Sequence, residues 1–268
     1  MRVDCHTHIG GCQGETERAE HLEAAEKVDA CVVLATPEGC SDKDTNKEVA
    51  GYVGKHRERM AGFAFINPVE DGAGVKQLAS MRDKLGFRGV VVYCAECDFH
   101  PAHSKAMQLY EAAEELGMPV FFHNAAPGPE AVLNYAQPYL LDEIARAFKS
   151  LKIVIGNMGG PFLPQTLCMV GKHENVYADL TISPGKVWEV YNVVVAAHES
   201  GVMDKLLFGS GFPDGDAGAC TETLLGFNKL LADTNLPTVP RGSIRNIIER
   251  DSLELLGIRR LPEPVAGR

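Results

Sequence analysis

The chain has 268 residues, 45% of them hydrophobic, with 36 acidic side chains against 26 basic ones and a formal net charge of −10. That length and apolar share suit one sizeable α/β domain. The acidic balance, with no dense Lys/Arg block, argues against a nucleic-acid surface or an anionic membrane as the main partner.

No apolar run nears the roughly 18 residues of a membrane span; Val190 to Ala197 is short and is interrupted by Asn192. With the first strand starting at Arg2, no leader is readable, and a cytoplasmic location is expected. The eight cysteines then read as reduced thiols, Cys94 and Cys97 as loop thiols of no special role.

In chain order, Val3 to His8 is strand-like, which puts His6 and His8 on one face with Asp4, and Cys5 and Thr7 on the other. A helix over Glu17 to Val28 leads to the strand Ala30 to Thr36, and a helix over Lys43 to His56 to the strand Met60 to Asn67. Val75 to Leu85 reads as a helix before the strand Phe87 to Tyr93. Ala106, Leu109, Tyr110, Ala113 and Leu116 keep helical spacing until Gly117 stops the helix and Pro119 to Asn124 opens the next strand. Leu140 to Lys149 reads as a helix, Lys152 to Asn157 and Val176 to Thr181 as strands, Gly185 to Glu199 as a helix, and Lys205 to Ser210 as the eighth strand. Helices over Thr221 to Asp233 and Pro240 to Leu256 close the pattern.

Eight strands alternating with helices predict an α/β fold, a single (β/α)8 TIM barrel over residues 1–258 with an additional C-terminal helix; an open doubly wound sheet is the other arrangement. Residues 259–268 read as a loosely attached tail. Wholly apolar runs such as Ala30 to Ala35 and Gly89 to Tyr93 suit strands covered on both faces.

A barrel assembles its site at the C-terminal strand ends. Those ends supply His6 and His8, then Tyr93 and His100, then His123, Asn157, Asp179, Thr181 and Ser210, with Asp214 and Asp216 beyond. Three histidines in one mouth offer nitrogen ligands for one divalent metal ion, zinc first among them, with a position open to water. His100 and Tyr93 are placed to reach a substrate. Lys186 and Trp188 are further pocket candidates. His21, His56, His173 and His198 fall on helices or helix ends and read as solvated.

Asp4 to His8, Gly62 to Pro68, Pro119 to His123, Gly156 to Pro161 and Leu207 to Pro213 resemble the ordered motifs of the amidohydrolase superfamily, specifically its amidohydrolase-2 branch of aminocarboxymuconate-semialdehyde decarboxylase-like enzymes. The resemblance implies a metal-dependent barrel enzyme acting on small molecules, with His6, His8 and His123 as metal ligands. It also implies a histidine after strand six and an aspartate after strand eight, where this chain has Asn157 and Gly211. Asparagine cannot shuttle a proton near neutrality and glycine has no side chain. A proton acceptor must then come from elsewhere, Asp214 first, then Asp179, with Glu96 and Asp216 following.

The expected function is a metal-dependent hydrolase or non-oxidative decarboxylase of a small organic molecule. A metal-independent hydrolase and a degenerate barrel that binds a small molecule or a protein are the alternatives. A homo-oligomer is left open, and nucleic-acid and membrane partners are not expected.

Overall fold

The computed structural model describes residues 1–9, 14–37, 44–71, 74–124 and 128–258. Eight parallel strands lie in sequence order: β1 (Val3–Thr7), β2 (Ala30–Leu34), β3 (Met60–Phe65), β4 (Gly89–Val92), β5 (Val120–Phe122), β6 (Ile153–Ile155), β7 (Val176–Thr181) and β8 (Leu206–Gly209). Beyond the end of β8 the chain turns back onto β1, where the Gly211 N–H donates to the His6 carbonyl and the His8 N–H to the Phe212 carbonyl, both at 2.9 Å. The sheet is thus a nearly closed barrel, and the open doubly wound alternative does not hold.

Around it run α1 (Glu15–Ala25), α2 (Thr45–Val53), α3 (Val75–Ser80, continued by a π-type turn to Leu85), α4 (Ser104–Leu116), α5 (Asp142–Ala147), α6 (Leu163–Lys172), α7 (Val187–Glu199), α8 (Ala217–Leu225), α9 (Arg241–Ile248) and α10 (Ser252–Leu255). No helix among the described residues is long and apolar enough to cross a membrane. The strands that the sequence predicts are all present, each trimmed by zero to a few residues, because hydrogen-bonded pairing stops before the apolar run does. The expected start of α2 at Lys43 and the tail 259–268 lie outside the described residues, as do Cys12 and Cys40; the six described cysteines are free.

Helix α6 has no counterpart in the predicted elements. Gly159, Gly160, Pro161 and Pro164 crowd its start and read as loop, yet Pro164 sits in the first turn, where the absent N–H has no helical partner to lose. The single C-terminal helix expected over Pro240 to Leu256 is two helices. Asp251 accepts the Glu254 N–H at 3.1 Å and so starts α10 afresh.

Two apolar layers explain why most strands read as continuous hydrophobic runs. Val3, Cys5, Val32, Phe63, Val91 and Phe121 meet inside the barrel, and Leu253, Leu256 and Ile258 plug its N-terminal end. Val33, Val90, Phe122, Ile155 and Phe208 face outward and pack under the helices with Leu109 and Leu224. With the barrel interior and its N-terminal end filled by apolar side chains, the polar cavity lies at the C-terminal mouth.

A local irregularity in β1 sets up that mouth. Asp4 pairs with Cys31 and Thr7 with Val33, so β1 advances three residues while β2 advances two. The extra residue is a β-bulge, and it resets the inside/outside alternation. Val3 and Cys5 therefore point into the barrel before the bulge, and His6 points in directly after it. Asp4, in register with the outward Cys31, does not share the face of the histidines as the unbroken alternation predicts, and Cys5 is not opposite them. Instead the Asp4 carboxylate accepts the Ser210 N–H at 2.9 Å and the His6 N–H at 3.2 Å, fastening β8 to β1 beneath the site.

Candidate metal centre

His6, His8 and His123 come together at the mouth, each offering one nitrogen within 4.8 Å of the others. Their rings stand edge to face with centroids 5.0 to 5.3 Å apart. The tautomers of two are set by their surroundings. The Leu34 carbonyl can only accept, so His8 donates from Nδ1 at 3.1 Å. His6 Nδ1 donates to Asp179 Oδ2 at 2.9 Å, an oxygen that already accepts the Asn157 N–H at 2.6 Å.

Both Nε2 atoms then carry lone pairs, and they stand only 3.0 Å apart. Two such lone pairs repel unless a cation lies between them. Ligands about 2.1 Å from a common ion stand about 3.0 to 3.4 Å apart for angles of 90° to 109°, so the spacing fits a shared metal ion. His123 is buried with its Nδ1 unpartnered. Burial, then neighbouring His6, pushes His8 down to about 3, and burial with both other histidines holds His123 well below its ordinary value. Neutral imidazoles are what a metal requires.

Asp179 is fully buried and engaged on both oxygens: His6 and Asn157 share one, and the Thr181 hydroxyl donates to the other. Its place is behind His6, outside the lining of the cavity, so neither oxygen is free to face a substrate there. Asn157 opens a run of left-handed backbone, with φ of 50°, 50°, 77° and 56° at residues 157 to 160. For Asn157 and Met158 this conformation costs about 1 to 3 kcal/mol each. The Asn157 N–H bond to Asp179 helps to hold it. Gly159 and Gly160 serve the tight turn, since a side chain on Gly160 would meet the Asn124 carbonyl at 2.7 Å.

The cavity above the histidines measures about 460 Å³. Tyr93 walls one side, its ring centroid 4.4 Å from that of His123 and its hydroxyl donating to the Ala35 carbonyl at 3.1 Å. Asn157, Thr181, Ser210 and Asp214 also line it. Gly211 does too, in a left-handed conformation with φ 68°, and a Cβ there would stand 2.7 Å from the Thr181 methyl.

A scan against protein families matches this chain over residues 3–235 to the amidohydrolase family, in its amidohydrolase-2 form. The chain belongs to that family. It is accordingly an enzyme of amidohydrolase-2 type. Among solved structures it is similar to an uncharacterised TIM-barrel protein from Bordetella bronchiseptica (17% identity, 96% of this chain and 98% of that one, TM-score 0.71). It is similar too to a probable 2-pyrone-4,6-dicarboxylic acid hydrolase from Acinetobacter baumannii with citric acid bound (15%, 96% and 99%, 0.68). A third is the 5-carboxyvanillate decarboxylase of Novosphingobium aromaticivorans in complex with manganese and a nitrobenzoic acid (12%, 96% and 96%, 0.66). No curated protein matches the sequence. The metal in the third neighbour is manganese and lends no support to zinc.

Within this amidohydrolase the other anticipated residues scatter. His100 is not in the cavity lining; its Nδ1 accepts the Ala102 N–H at 3.0 Å and its ring meets Tyr135. Asp214 is exposed at the rim, whereas Asp216 caps α8 through the Ala219 N–H and Glu96 is exposed away from the lining. Lys186 pairs with Glu189, and Trp188 is 69% exposed. Glu17, absent from the predicted site, is buried at 5% exposure and lines the cavity from α1. An acidic residue in a first helical turn has an ordinary explanation in the helix dipole, so no sequence signal separates it.

His21 is likewise not solvated. One turn beyond Glu17, it is 1% exposed, accepts or donates at 2.7 Å to the Tyr52 hydroxyl, and leaves Nε2 without a partner. Burial, with His56 nearby, pushes it from 6.5 down to about 4. A depressed folded value means that the stability is complete above pH 6.5 and is lost as pH falls toward 4. The loss at pH 5 is about 2 kcal/mol. Urea unfolding at pH 7 and pH 5 should therefore show a decline steeper by that amount in wild type than in His21→Leu; parallel declines would contradict it.

Proposed function

We propose that this amidohydrolase is a metal-dependent hydrolase or non-oxidative decarboxylase of a small organic molecule, with one divalent ion held by His6, His8 and His123. The observation that carries the reading is the pair of Nε2 acceptors 3.0 Å apart, each fixed by a hydrogen bond on its far side. When bound, a divalent ion polarises a carbonyl or carboxylate oxygen and activates water at neutral pH. Structural neighbours that act on or bind carboxylic acids and, in one case, hold manganese are consistent with such chemistry.

The chain's own residues have separable tasks. Asp179 orients His6 and the Leu34 carbonyl orients His8. Tyr93 shields His123 and closes the cavity on that side. Asn157 and Thr181 offer hydrogen bonds to a substrate, and Asp214 is a solvent-exposed carboxylate at the rim, placed to accept a proton there. We propose zinc as the ion, because the three ligands are all imidazole nitrogens and Gly211 adds no oxygen donor, a set that suits zinc better than manganese.

Metal analysis of the purified chain tests this. Wild type should hold about one equivalent of divalent metal, and His6→Ala and His123→Ala should each lose it while retaining the fold by circular dichroism. A wild-type chain that takes up no divalent metal from a buffered excess would overturn the reading.

A further inference from the structure

The polar groups at the cavity wall are biased toward one charge. Glu17 and Asp214 both line it, and no lysine or arginine does among the described residues. Asn157 adds a buried Oδ1 acceptor without a partner.

Glu17 is the unusual member. At 5% exposure its carboxylate has no hydrogen-bond or ion-pair partner among the described residues, yet it lines a space large enough for a small molecule. A carboxylate that lines a cavity with no ion-pair partner there presents its charge to whatever enters, and the first-turn N–H groups of α1 offset only part of that charge. A cationic group in the cavity would supply the missing partner, and in a desolvated site such a pair discriminates strongly against a like-charged ligand.

We infer that the substrate of this enzyme carries a basic nitrogen, protonated at neutral pH, that Glu17 receives while the reactive carbonyl lies toward the three histidines. This rests on the metal-dependent function proposed above and deepens it by naming the substrate class: a small amide or ester with a cationic amine, not a dicarboxylate. A divalent ion does not reverse the argument. Held by the three histidines, it would have Asp179 behind His6 and would serve the reacting oxygen, which leaves Glu17 in the lining free to receive a second positive group.

The test uses a matched pair of probes, 4-aminobutanamide and glutaramate, which share one amide and the same three-carbon spacer and differ in the terminal charge. Titrated calorimetrically into the metal-loaded full chain, the amine should bind about tenfold or more tighter than the carboxylate, and Glu17→Gln should bring the ratio close to one. Metal content is measured on the same samples and should not change in Glu17→Gln. Glutaramate binding as tightly as the amine or tighter, or a preference that survives in Glu17→Gln, overturns the inference. The wild-type ratio decides on its own if the variant does not fold. Failure of the function proposed above has a different signature, a metal-free wild-type chain; an amine preference persisting in that chain would still support the assignment of Glu17.

Discussion

Replacing Asp179 by asparagine should lower the metal affinity of this amidohydrolase by about 10- to 100-fold without unfolding it. Oδ2 of Asp179 accepts from both His6 Nδ1 and the Asn157 N–H, and Oδ1 accepts from the Thr181 hydroxyl. An asparagine that places its oxygen at the Oδ2 position keeps the first two bonds. Its amide then faces Thr181, whose hydroxyl can turn to accept. What disappears is the negative charge behind His6, which favours a cation bound on the far side of the ring. Asp179→Ala differs, because it leaves the Asn157 N–H unpaired at about 1 to 3 kcal/mol and leaves His6 Nδ1 only the Thr181 hydroxyl at 3.2 Å. Competition titration against a chromophoric chelator should show the affinity loss in Asp179→Asn, and thermal melts should show a large destabilisation confined to Asp179→Ala. Wild-type affinity in Asp179→Asn would mean that His6 does not act through this carboxylate.

The contrast between what the chain reveals as a string and what it reveals once folded follows from the range of the forces involved. The eight strands are legible because each buries both faces, so the apolar runs are set by local composition. The assembly of His6, His8 and His123 in one mouth is legible too, since barrel topology carries all C-terminal strand ends to one place. The orientation of Asp4 is not: it depends on one extra residue in β1 relative to β2, a pairing property that neither strand encodes alone. Helix α6 hides behind prolines that its first turn tolerates.

Glu17 and His21 hide for a related reason. Both lie on the face of α1 turned toward the barrel mouth and the Phe212 segment, and α1 carries so many acidic residues that it reads as solvated throughout. The partners of Asp179 are the distant Asn157 N–H and His6, contacts that no local pattern announces. In each case the strand or helix is a local matter, whereas the partner of a buried polar group is a tertiary one.

Gly209, the last residue of β8, tests the geometric half of the same assembly. A Cβ at this position would stand 2.5 Å from Asp179 Oδ1, 2.6 Å from Thr181 Oγ1 and 2.9 Å from the Cβ of His6. None of the three has room to retreat. Asp179 is held by three donors, Thr181 by its hydroxyl on that carboxylate and at 3.2 Å from His6 Nδ1, and His6 by its own ring bonds and by the backbone N–H on Asp4. Gly209→Ala should therefore destabilise the enzyme by about 1 to 3 kcal/mol, the range for overpacking a filled interior. It should also weaken metal binding, because a ligand displaced by more than about 0.5 Å no longer meets the ion in a productive geometry. The two variants separate the contributions: Asp179→Asn keeps the seat of His6 and removes the charge behind it, and Gly209→Ala keeps the charge and disturbs the seat. Denaturant unfolding with and without chelator reads both at once. A Gly209→Ala chain with wild-type stability and wild-type metal affinity would show that the contact between β7, β8 and His6 is looser than these distances require.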